Sequence, residues 1–159
     1  MLPRSRRFFR LFAILPAAAA LVLAADPTIG IWKLDVRKSK FLPGPGFQSE
    51  TRTYEERKDG VRVSIRTVDA KGKQATIVYL ATPDGQQHPV SGAGGPADAV
   101  ALKRINDYIA ESTLLHAGRE IAKTTRTVSV DGKKMTIVYD GLDPYGSRVN
   151  YTLVYDRVK

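Results

Sequence analysis

The side chains able to do chemistry are few and poorly placed for it. The 159 residues contain two histidines and no cysteine. His88 and His116 lie in different segments, each beside turn-like sequence, so a zinc centre would have to complete its ligand set from carboxylates. The lack of Cys excludes thiolate metal sites and thiol redox chemistry. Ser91, Ser112 and Ser129 lack the strained strand-to-helix turn that exposes a nucleophile. Glu55 and Glu56 are adjacent and on a strand would point to opposite faces, unsuitable for an acid and a base flanking one bond. Ser91-Gly92-Ala93-Gly94-Gly95-Pro96 is glycine-rich, but it has no GxxxxGK[ST] pattern and leads into no helix. It reads as an exposed loop and not as a phosphate cradle. No catalytic set, metal site or cofactor is expected, and the chain reads as something other than an enzyme.

Residues 1–25 have the make-up of a signal peptide. Arg4, Arg6, Arg7 and Arg10 form a positive start, Leu11 to Leu23 an apolar stretch, and small residues allow cleavage after Ala24 or Ala25. About fifteen apolar residues, broken by Pro16, fall short of the roughly 20 that a spanning helix needs, so no membrane span is expected after cleavage. Ser5-Arg6-Arg7-Phe8-Phe9 is similar to a twin-arginine export signal, and an Arg-rich general secretory leader fits as well. Either route predicts an exported protein, periplasmic or extracellular. The leader carries four Arg and no acid, so its removal lowers the formal charge from +9 to +5. The remaining cations are dispersed and form no block, which argues against a nucleic-acid partner.

Residues 26–159 are expected to form one domain, long enough to bury roughly two thirds of the unfolded chain's surface. Its elements are strands. Val61, Val63 and Ile65 alternate with Arg62, Ser64 and Arg66, the pattern of a sheet with one face buried and one wet. Ala75, Ile77 and Tyr79 alternate in the same way, as do Met135, Ile137 and Tyr139, and Val149, Tyr151, Leu153 and Tyr155. Asp59-Gly60, Asp84-Gly85 and Asp131-Gly132 suit tight hairpins, and Asp143-Pro144-Tyr145-Gly146 suits a type I turn. About ten strands are predicted, at 30–37, 48–57, 61–68, 74–82, 86–90, 98–105, 107–115, 120–130, 133–140 and 147–157, with a loop at Pro43-Gly44-Pro45-Gly46. Short turns pair each strand with its sequence neighbour. The fold class is therefore all-β, an antiparallel up-and-down meander of 8–10 strands. Closure into a barrel would remove exposed edges; a two-sheet β-sandwich satisfies the same alternation.

Gly30-Ile31-Trp32-Lys33-Leu34 at the start of the first strand, with Tyr155-Asp156-Arg157 at the end of the last, resembles the calycin superfamily of lipocalins and fatty-acid-binding proteins. The resemblance implies a lipocalin-like barrel in which Gly30 and Trp32 begin the strand that closes the bottom and Arg157 packs over the indole, a cation–π contact of about 0.5 to 2 kcal/mol. The fatty-acid-binding branch also has two lid helices and an Arg-x-Tyr on the last strand. Here Lys38 to Phe47 is too short for the helices, and Leu153 stands where the Arg would be, with Tyr155 retained. That branch's specificity is not carried over, and the nearer likeness is to small exported bacterial lipocalin-like proteins. Some calycin-like barrels bind haem through one His, for which His116 is the late candidate, although an exposed loop His is the ordinary reading.

On the barrel reading, Tyr79, Tyr139 and Tyr151 share the phase of inward apolar neighbours and are candidate ligand-binding residues. Arg104 follows Val100 and Leu102 in phase. Inward it would need an acidic partner, whereas outward at a strand end it is an ordinary surface Arg. The functional expectation is a binding protein whose partner is a small lipophilic or amphipathic ligand. The alternative is a ligand-free structural or protein-interaction module of the cell envelope.

Overall fold

The computed structural model describes residues 26–158; the signal-peptide reading over 1–25 lies outside the described residues. Eleven strands form one antiparallel sheet, with no helix among the described residues. They are β1 (Gly30–Leu34), β2 (Lys40–Leu42), β3 (Ser49–Arg57), β4 (Gly60–Val68), β5 (Gln74–Ala81), β6 (Asp84–Ala93), β7 (Ala99–Arg104), β8 (Ile109–His116), β9 (Arg119–Val128), β10 (Lys134–Leu142) and β11 (Arg148–Arg157).

From β3 to β11 each strand pairs with the next, and the sheet closes because β1 pairs with both β3 and β11. At the seam Trp32 faces Arg157 and Leu34 faces Tyr155. This is a closed meander barrel of ten strands with one short extra strand, and a two-layer sandwich is excluded. The extra strand was not legible as such: β2 lies between the strands expected at 30–37 and 48–57, just before the Pro43–Gly46 loop, and pairs with the same edge of β11 that β1 uses lower down, Tyr151 facing Phe41. Between β1 and β2 the chain turns at Asp35–Ser39. That break is tied to one residue of β11, with Asp35 N donating to Val154 O at 2.8 Å and Val154 N donating to Ser39 Oγ at 3.0 Å. Both backbone groups of Val154 are thereby satisfied where the wall is interrupted.

A second difference concerns Ser91–Pro96. The ladder continues through its first half, with Val78 facing Ser91, Ile77 facing Gly92 and Thr76 facing Ala93. A side chain at Gly92 (φ +112°) would run into the backbone of Thr76 and Ile77. This glycine permits close strand approach, a role that composition cannot distinguish from loop formation.

Alternation decides what faces inward. Val63, Ile65, Met135, Ile137, Val149, Leu153 and Tyr155 are buried on the inner face, as their phase predicts. Burial is densest at the end holding Trp32 and Met135, neither of which has exposed surface. This end is called the lower end below.

Candidate functional site

At the lower end Trp32 donates its indole N–H to Thr28 O at 2.8 Å. The Arg157 guanidinium lies over the indole with Cζ 4.3 Å from the ring centroid. It donates from Nε to Gly132 O and from Nη1 to Ile29 O, each at 2.6 Å, and from Nη2 to Pro27 O. Gly30 (φ +134°) sits directly beneath, and a Cβ there would come within 2.6 Å of Arg157 Nη1. Gly30, Trp32 and Arg157 thus form one seal joining β1, β11 and the β9–β10 turn.

Above the seal lies a polar layer. Glu50, 3% exposed, accepts from Arg52 Nε (2.6 Å) and Tyr155 Oη (2.5 Å) on Oε1 and from Thr67 Oγ1 (2.9 Å) on Oε2. Burial holds the Tyr155 phenol well above its ordinary range. Arg126 on β9 also points inward, its Cζ 5.3 Å from the Tyr54 ring centroid. Its Nε is buried without a hydrogen-bond partner.

Above this layer the barrel is hollow. A cavity of about 510 Å³ runs to a mouth formed by Pro43–Phe47, Asp69–Lys73, Gly94–Ala97 and Asp143–Ser147. Ile65, Ile77, Val90, Val100, Leu114 and Leu153 supply apolar wall, and Arg52 reaches its base. Near the mouth Phe41, Phe47 and Tyr151 meet edge to face at centroid distances of 5.2 to 5.7 Å, and Tyr139 stacks on Tyr151 at 6.1 Å. Across the mouth Tyr145 Oη donates to Asp69 Oδ2 at 2.5 Å, with Lys71 Nζ 4.5 Å from the Tyr145 ring centroid.

The structure brings Tyr79, Tyr139 and Tyr151 together on the cavity wall. Burial pushes the Tyr79 phenol up to about 12 and raises those of Tyr139 and Tyr151, so all three are neutral hydroxyls at pH 7. Tyr139 donates to Leu142 O. Arg104 is not part of the wall. It ends β7 at the lower rim, where Nη2 lies 3.7 Å from Asp26 Oδ2 and 3.5 Å from Asp107 Oδ1. Its phase is inward, but the strand has run past the hollow before reaching it, so the guanidinium turns to rim carboxylates and solvent. His88 is held on β6 by Asp84 Oδ1 (3.0 Å) and Thr82 Oγ1 (2.5 Å), and His116 lies 3.4 Å from Asp98 at the end of β8.

Sequence reasoning missed Glu50, Arg52, Thr67 and Arg126. On β3 both faces are polar, Glu50-x-Arg52 against Thr51-x-Thr53, so no hydrophobic phase marks the inside. On β9 a signal was present, because Arg126 shares the phase of the buried Ala122 and Val128. No protein-family model matches the chain, and no curated protein matches it.

Proposed function

We propose that this is a binding protein, not an enzyme, which holds one small apolar or amphipathic molecule in its barrel. The observation that carries the reading is the lumen itself: about 510 Å³, largely apolar, open at one end and sealed at the other by Trp32. Ligand sites typically enclose roughly 300 to 1,000 Å³ behind apolar walls with a few placed polar groups. The closed meander and the Trp32–Arg157 seal support kinship with lipocalin-like calycins, and the leader expected over residues 1–25 fits an exported carrier or scavenger.

The test is titration of the purified protein with 1-aminoanthracene, a neutral fluorescent apolar probe, alongside native mass spectrometry. Saturable uptake of one probe per chain, abolished by Val100→Trp in the wall, is expected. Absence of both saturable uptake and a co-purifying molecule would overturn the reading in favour of a ligand-free interaction module.

A further inference from the structure

We propose that the closed end of the barrel is a membrane-contact surface: while residues 1–25 remain attached, the protein lies with this end against a lipid bilayer and its mouth directed into water.

The first observation is where exposed apolar surface collects. Nine large apolar side chains are exposed among the described residues, and five of them, Ile31, Ile105, Tyr108, Val130 and Val158, stand at the closed end with 37% to 84% of their surface exposed. Their backbones adjoin. Val130, the most exposed of the nine, is in the β9–β10 turn. On one side of that turn Val128 N donates to Tyr108 O at 2.9 Å, and Ile105 N closes the same β7–β8 turn on Ile109 O at 2.9 Å. On the other side Arg157 N donates to Lys133 O at 3.0 Å and Val158 N to Ile31 O at 2.8 Å. Single exposed apolar residues are ordinary, but a group on one rim marks a contact surface. Trp32 and Arg157 already seal this end from within, so the group serves neither the core nor the lumen.

The second observation is where the leader joins. Asp26, at which the described chain begins, is fixed on this rim. Its Oδ1 accepts from Thr28 N at 2.8 Å, its carbonyl from Ile29 N at 3.1 Å, and its Oδ2 lies 3.7 Å from Arg104 Nη2, next in sequence to Ile105. Leu23 ends the apolar run that starts at Leu11, and it precedes Asp26 by three residues, a reach of about 10 Å. The leader's apolar run and the apolar rim are therefore available to the same partner.

A bilayer is the partner that suits both. The five side chains stand on separate turns and strand ends around the rim, which a broad lipid surface covers at once, whereas a single segment laid across them would leave some bare. Aliphatic tips with a tyrosine among them are the composition that settles at the head-group boundary. Asp107 and Asp131 offset Arg104 and Lys133 on the same turns, so apolar burial carries the contact, and Arg4, Arg6, Arg7 and Arg10 of the leader add attraction to acidic lipids. Cleavage after Ala24 or Ala25 removes the larger share of the apolar area and releases the barrel. Because the mouth is at the opposite end, a tethered protein exchanges its ligand with solution and not with the bilayer beneath it.

The test exploits the absence of cysteine. Val130→Cys and Glu120→Cys each give one attachment point for a nitrobenzoxadiazole fluorophore, the first at the closed end and the second at the start of β9 on the mouth end. With the full chain and vesicles of phosphatidylcholine and phosphatidylglycerol, the label at residue 130 is expected to brighten and shift to the blue, the label at 120 to stay aqueous, and the vesicle-bound protein to take up 1-aminoanthracene. Val130→Asp, at an exposed turn, should weaken vesicle partition about tenfold. A label at 130 that stays in water while the chain sediments with vesicles, an equal shift at 120, or no vesicle binding would overturn the proposal. Shielding at 130 before vesicles are added would overturn it too. If that shielding is independent of protein concentration the leader covers the rim, and if it grows with concentration a second copy does.

Discussion

At the lower end of the barrel an indole with no exposed surface is overlain by a guanidinium that spends its donors on three backbone carbonyls. At the upper end the same strands splay into loops of Pro, Gly, Asp and Lys around an open mouth, crossed by one phenol-to-carboxylate contact. The lower closure is buried and joins the first strand to the last. The upper crossing is exposed and joins two hairpin loops. Stability should therefore be concentrated at the seal and access at the mouth, with the polar layer between serving both.

Four substitutions sharpen that contrast. Trp32→Ala empties the seal and should cost about 4 kcal/mol in urea unfolding; a loss under about 1 kcal/mol would mean that the lower end does not hold the barrel together. Glu50→Ala strands Arg52 in the interior, and a loss of about 3 kcal/mol is expected. Near-wild-type stability there would show that the polar layer is wet and loosely held. Arg157→Met keeps an aliphatic stem over Trp32 but removes the charge and the carbonyl contacts, for about 2 kcal/mol by the same measurement. Tyr145→Phe at the mouth should lower the urea midpoint only slightly and speed probe entry in stopped-flow fluorescence, and a slower entry would contradict a role for this contact as a crossing of the mouth.

Tyr145 also sets a pH dependence. Asp69 titrates below the usual carboxylate range, first because of the Tyr145 hydroxyl and then because of the backbone N–H groups of Lys73 and Lys71. A carboxyl lowered on folding contributes fully above its unfolded value of about 3.9 and loses that contribution as pH falls through the folded value. In Tyr145→Phe the Asp69 midpoint followed by NMR should move up towards the ordinary range; an unmoved midpoint would assign the effect to the loop backbone alone.

Legibility from sequence follows the same division. Strands with an apolar phase could be placed, and β4, β5, β10 and β11 lie within a residue or two of their expected bounds. The seal could be anticipated only through the resemblance of Gly30-Ile31-Trp32 and Arg157 to the calycin pattern, since no period in the chain marks it. The polar layer was not, because Glu50 and Arg52 sit in a strand polar on both faces and acquire their meaning only when Thr67 and Tyr155 arrive from other strands. The short strand β2 was hidden for a related reason: three residues between a turn and a Pro-Gly run have no period to read, and only the edge of β11 defines them.

Register at the seam has a consequence for biogenesis. Residue 32 pairs with residue 157, so a nascent chain emerging amino end first must present about 125 further residues before the ring can shut. Until then the growing sheet has a bare flank, and contacts so distant in sequence form slowly. Shortening β11 by a few residues should therefore yield an adhesive open ribbon instead of a slightly smaller version of the same molecule.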